Sequence, residues 1–71
     1  MKLDIHEQRN IELCRKAMEK KQRIGVLALA NYTTGIVDKI WFDDLEDQVV
    51  LNTGTETKRF SASSITAVNL L

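Results

Sequence analysis

The stretch Ile24-Gly25-Val26-Leu27-Ala28-Leu29-Ala30, then Asn31-Tyr32-Thr33-Thr34-Gly35, then Ile36-Val37-Asp38-Lys39-Ile40-Trp41-Phe42 decides the fold of this chain. Its first part is apolar and short, which reads as a mostly buried strand. Its middle is polar and ends in glycine, which reads as a turn with Gly35 available for a positive φ. Its last part is rich in β-branched and aromatic residues, the composition of a second strand. Period-two counting puts Ile36, Ile40 and Phe42 on one face and Val37 and Trp41 on the other.

Toward the C-terminus, Asp43-Asp44-Leu45-Glu46-Asp47 is expected as the next turn and Gln48-Val49-Val50-Leu51 as a third strand. Asn52-Thr53-Gly54-Thr55 marks a tight hairpin connection. Residues 56–61 form a polar fourth strand anchored by Phe60, residues 61–64 a single helical turn, and residues 65–70 a fifth strand. Toward the N-terminus, Asp4 and Glu7 fit a capping box. Ile11, Cys14 and Met18, widened by Leu13 and Ala17, make an apolar stripe at helical spacing. Glu12 with Lys16, and Glu19 with Arg23, lie four apart in the favourable order. A helix is expected over about residues 4–21.

A flat sheet of five short strands would leave two bare edges and one bare face. Curling it joins the edges, and the amphipathic helix then covers an open end. The short connections favour an antiparallel meander. The expected fold is therefore a small all-β barrel of SH3-like or Sm-like type, with five antiparallel strands and one N-terminal α-helix. It forms one domain over residues 1–71, with the barrel from about residue 23. Its core is expected to combine the helix stripe with Val26, Leu29, Ile36, Ile40, Phe42, Val49, Leu51, Phe60, Ile65 and Val68. Trp41 is expected either in the core under the helix, on a bent strand buried on both faces, or partly exposed on the face opposite Ile40 and Phe42, as an anchor for a protein partner.

Composition narrows the function. The chain has 71 residues, 44% of them hydrophobic, and ten basic side chains balance ten acidic ones. That is room for one small domain and none for a cleft between lobes. A neutral chain does not fit a general nucleic-acid coat. A single cysteine excludes an internal disulfide and fits a reducing cytoplasm. One histidine and one cysteine cannot build a Cys/His zinc site. The longest apolar stretch, seven residues from Ile24 to Ala30, falls short of the about 20 that a membrane span needs. The start of the chain lacks the apolar segment of a signal peptide. The expectation is a cytoplasmic protein with no membrane partner, no cofactor and no metal.

The balanced charges are segregated. Arg15, Lys16, Lys20, Lys21 and Arg23 face only Glu19 in the helix end, whereas Asp43, Asp44, Glu46 and Asp47 crowd one turn. The basic run, with Lys58 and Arg59, is a candidate nucleic-acid contact. It also suits a helix C-terminus on dipole grounds alone. The acidic turn, with the aromatics Tyr32 and Trp41, is a candidate contact for a protein partner. The two patches could also neutralise each other between copies of the chain, so a homo-oligomer is a further option. No catalytic set emerges. His6 lies at the helix start as a solvated or capping residue. Cys14 lies on the apolar stripe without a neighbouring base. Ser61, Ser63, Ser64 and Thr66 read as turn chemistry, and the glycine turns lack the spacing of a phosphate loop.

Over residues 11–69 the chain resembles the YolD-like family, small Sm-like barrels of Gram-positive bacteria and their phages. The resemblance rests on Ala17-Met18-Glu19 with a basic helix end, the apolar strand from Ile24, Thr34-Gly35-Ile36-Val37-Asp38-Lys39-Ile40, and Ser63-Ser64-Ile65-Thr66-Ala67-Val68. Trp41 departs from the pattern, since that family tends to place Asp there. The layout, with Gly54-Thr55-Glu56-Thr57-Lys58 leading toward an Ile-Thr final strand, is also similar to Rof, a small Sm-like inhibitor of the Rho termination factor. Both resemblances imply a binding protein and not an enzyme. The first implies a partner among repair polymerases, the second a partner in transcription. Sm-style RNA binding uses an Asn in the turn between strands two and three and an Arg-Gly pair before the last strand. This chain has Asp43-Asp44 and Ala62-Ser63-Ser64 at those places, which disfavours it. The expected function is a non-catalytic interaction module for a protein of nucleic-acid metabolism. The alternative is direct RNA or DNA binding.

Overall fold

The structure is a computed structural model that describes residues 5–71. Helix α1 spans Ile5–Lys20, followed by β1 (Arg23–Ala28), β2 (Asn31–Asp43), β3 (Glu46–Asn52), β4 (Thr57–Ser61), a 3-10 turn (Ala62–Ser64) and β5 (Ile65–Leu70). The cap expected at Asp4 lies outside the described residues. At its other end α1 stops in a Schellman arrangement. Lys21 is left-handed at φ 53°, its N–H donates to the Met18 carbonyl at 3.2 Å, and the Gln22 N–H donates to the Ala17 carbonyl at 2.8 Å.

All strand pairings are antiparallel, in the order β4-β3-β2-β1-β5. The barrel expected from the sequence is not closed: among the described residues β4 and β5 are the sheet's edges and do not pair. The sheet is nevertheless strongly curled. Laid flat, its edge strands would be about 19 Å apart at the usual strand spacing. Ser61 ends β4 and Ile65 begins β5, and four peptide links reach about 15 Å at most. Only curling brings the edges within that reach.

The turns differ from expectation. The β1–β2 connection is Leu29-Ala30 and the β2–β3 connection is Asp44-Leu45, with φ of 50°, 65°, 51° and 66°. Two successive positive φ values are the mark of a type I′ hairpin, normally built by Asn-Gly. Leucine, alanine and aspartate give no such signal, so the turn expected at residues 31–35 is in fact strand. Gly35 is extended there. Its requirement for glycine is instead spatial, because the Asn52 carbonyl lies against its α-carbon.

A bulge at Asp38 changes which side chains meet. β2 pairs Val37 with Leu51 and Lys39 with Val50, leaving Asp38 as the extra residue. Val37 and Ile40 therefore share the inner face although they are three apart. Of the expected grouping, Ile40 and Phe42 still share a face, but the bulge separates Ile36 from them. Ile36 and Phe42 are exposed, and Leu29 is exposed at its turn. Ile24, Ala28, Val37 and Ala62 supply core in their place, with Ile40 and Phe60 packed at its margin.

Ile11, Cys14 and Ala17 of α1 join Ile24, Val26, Val49, Leu51, Ile65 and Val68 in one cluster, so helix and sheet share a single core. Asn10 anchors the helix. It is buried, and its Nδ2 donates to the carbonyls of Ile65 at 3.4 Å and Thr66 at 3.5 Å. Thr66 is the extra residue where β5 bulges, since Leu27 pairs with Ala67 and Ala28 with Ile65.

Candidate functional site

Beyond the Asp38 bulge, the outer face of the sheet carries two cross-strand rows. Lys39, Val50 and Arg59 form one, and Trp41, Gln48 and Ser61 the next. The Lys39 ammonium and the Arg59 guanidinium each lie 5.1 Å from the centre of the Trp41 ring. Contacts of this kind contribute about 0.5–1 kcal/mol at exposed sites. Arg59 is held further by Nε donating to Gln48 Oε1 at 3.2 Å and by an ion pair with Asp43 at 3.6 Å. Gln48 Nε2 donates to the Asp43 carbonyl at 3.2 Å. Gln48 is thus buried beneath the cluster with both ends of its amide satisfied.

Trp41 is half-buried on this outer face and not in the core under the helix. The bulge is the cause. In an uninterrupted strand Trp41 would share the face of Val37, and Val37 is core; one extra residue turns it outward.

The acidic turn is partly engaged within the chain. Asp43 pairs with Arg59 and accepts the Asp44 N–H at 3.0 Å. Glu46 Oε1 accepts the Ser63 N–H at 2.8 Å, tying β3 to the 3-10 turn. That hydrogen bond holds the Glu46 carboxyl below its ordinary value of 4.5. The Asp44 side chain is exposed and that of Asp47 half-exposed, on either side of Leu45. Tyr32 does not join this cluster. It lies nine residues back along β2, where its ring crosses Gly25 and leaves no room for a Cβ there.

Arg15, Lys16, Lys20, Lys21 and Arg23 are all exposed at the helix end, and Arg23 Nη2 donates to Thr34 Oγ1 at 3.3 Å. Lys58 points to the opposite side of β4 from Arg59. Cys14 is fully buried, and desolvation pushes its thiol up to about 11. Among the described residues, no grouping of His, Cys, Asp and Glu is placed to hold a metal ion, and no helix is long and apolar enough to cross a membrane. Asn10 and Gln48, the two buried polar residues among those described, went unmarked in the sequence because an isolated amide carries no pattern.

Fold and surface together define a small helix-on-curled-sheet domain whose outer face holds a tryptophan with two cations close to its ring. No family model, curated protein or solved structure matches the chain.

Proposed function

We propose that the chain is a non-catalytic interaction module that binds a protein partner of nucleic-acid metabolism through the outer face of β2, β3 and β4. The observation that carries this reading is Trp41, half-buried and held by Lys39 and Arg59 over a buried Gln48. Trp and Arg are the residues that dominate binding energy at protein interfaces. Holding them in place before contact reduces the ordering cost of association. A stacking nucleobase, by contrast, would compete with two cations already on the ring. The strand order with a one-turn link to β5 supports the Sm-like reading, and the YolD-like and Rof resemblances point to bacterial or phage repair or transcription machinery as the source of the partner.

The test is affinity capture from a bacterial lysate after nuclease digestion. The wild-type chain retains a defined polypeptide, and Trp41→Ala and Arg59→Ala each lose it while keeping a cooperative melt. Retention unaffected by both substitutions refutes the reading.

A second reading, direct nucleic-acid binding, is favoured by the exposure of five cations together at the helix end. It requires that replacing Lys20, Lys21 and Arg23 by Ala weaken oligonucleotide binding and flatten its salt dependence.

A further inference from the structure

Two exposed apolar patches carry opposite charge. The first is the tip of the β2–β3 hairpin. Phe42 is 68% and Leu45 84% exposed, and Leu45 holds a left-handed φ of 66° that its side chain disfavours. Asp44 and Asp47 rim this tip. The second lies where β5 ends against the helix terminus. Leu70 and Leu71 are both more than half exposed. The Leu71 N–H donates to the Arg23 carbonyl at 3.0 Å, and Gln22 Nε2 donates to the Leu71 carbonyl at 3.4 Å. Those bonds pin the two leucines against the segment that carries Lys20, Lys21 and Arg23.

The patches do not neutralise each other within one chain. Asp43 pairs with Arg59, and among the described residues Asp44 and Asp47 form no ion pair with Lys20, Lys21 or Arg23. Each patch has an apolar centre, and its charged rim is opposite in sign to the other's. The chain as a whole has zero net charge, so copies do not repel at long range. We infer that the chain associates head to tail, with the Phe42–Leu45 tip of one copy seated on the Leu70–Leu71 helix end of the next, and Asp44 and Asp47 facing Lys20, Lys21 and Arg23. This contact is heterologous. Each copy added leaves one tip and one end free, so the assembly grows past a dimer until it closes as a ring or continues as a filament. Trp41 takes no part in it, so the inference stands apart from the proposed partner site.

Sedimentation velocity across a concentration series, at low and at high salt, tests it. The wild-type mass rises beyond the dimer with concentration and falls as salt screens the rims. Asp44→Lys with Asp47→Lys stays monomeric, and so does Lys20→Glu with Lys21→Glu, because each carries like charge on both patches. Mixing the two restores association, since every tip again meets an end of opposite sign. A wild-type chain that stays monomeric throughout overturns the inference, and so do charge variants that still self-associate or folded variants whose mixture does not. Leu45→Gly covers the case of a variant that fails to fold. It removes the apolar contact while relieving the backbone, so the chain folds at least as well and associates several-fold more weakly; unchanged association overturns the inference.

Discussion

Asn10 is the polar residue on which the seating of the helix depends, and its replacement tests the described packing directly. Its Nδ2 serves two carbonyls at the β5 bulge, at 3.4 and 3.5 Å. Leaving buried acceptors without a donor costs about 1–3 kcal/mol. Both bonds are long, which places the cost in the lower part of that range, and the better helix propensity of alanine offsets about 0.5 kcal/mol. Asn10→Ala is therefore expected to destabilise by about 1 kcal/mol. A domain of this length holds only about 4–11 kcal/mol in total, and each kcal/mol moves its melting point by about 4–8 °C. The loss is read by urea unfolding followed through the single tryptophan, with circular dichroism melts alongside.

Asn10→Asp sharpens the test. It keeps the shape but points a carboxylate at two carbonyls. Burial and those oxygens raise the folded-state pKa of the new carboxyl above its unfolded value of about 3.9. The defect is therefore complete at neutral pH, exceeds that of Asn10→Ala there, and shrinks as pH falls and the protonated acid becomes a donor. A melt of Asn10→Ala indistinguishable from wild type would refute the anchoring role. So would an Asn10→Asp defect of equal size at every pH.

Three further outcomes follow from the geometry. Lys21→Gly relieves a left-handed residue at the helix end and should raise stability by about 1 kcal/mol in denaturant titration; no gain would mean the Schellman arrangement is not populated. Cys14, buried and with its thiol raised to about 11, should react with a thiol reagent at mild alkaline pH only at the rate of opening, so labelling accelerates with urea and is negligible without it. The Glu46 carboxyl, held below 4.5 by the Ser63 N–H, adds stability that is present above its unfolded pKa and is lost as pH falls through its lower folded value. Glu46→Gln should flatten that acid limb of the stability profile, and an unchanged limb would show that the carboxyl is not capping the 3-10 turn.

Much of the architecture was legible in the chain before folding. Ile11, Cys14 and Ala17 recur at helical spacing because one helix face must be apolar to cover a sheet. Val26, Val49, Leu51, Ile65 and Val68 were legible as core, and the polar fourth strand and the one-turn connector before β5 also fell where expected. These features depend on local periodicity, which neighbouring residues encode between themselves. The candidate site was legible only as residue types. Trp41, Arg59 and the acids stood out, but not the cluster that some of them form.

Pairing across strands decided the rest. Leu29-Ala30 and Asp44-Leu45 turn the chain without any glycine, because antiparallel strands with the native twist force positive φ on whatever residues lie between them. The extra residue at Asp38 bends β2, as a bulge does, and the bend accompanies the curl of the sheet. That single extra residue exchanges the two faces of β2. It puts Val37 and Ile40 together on the core side and Trp41 outside with Lys39 and Arg59, whereas uninterrupted alternation keeps Val37 and Trp41 on one face.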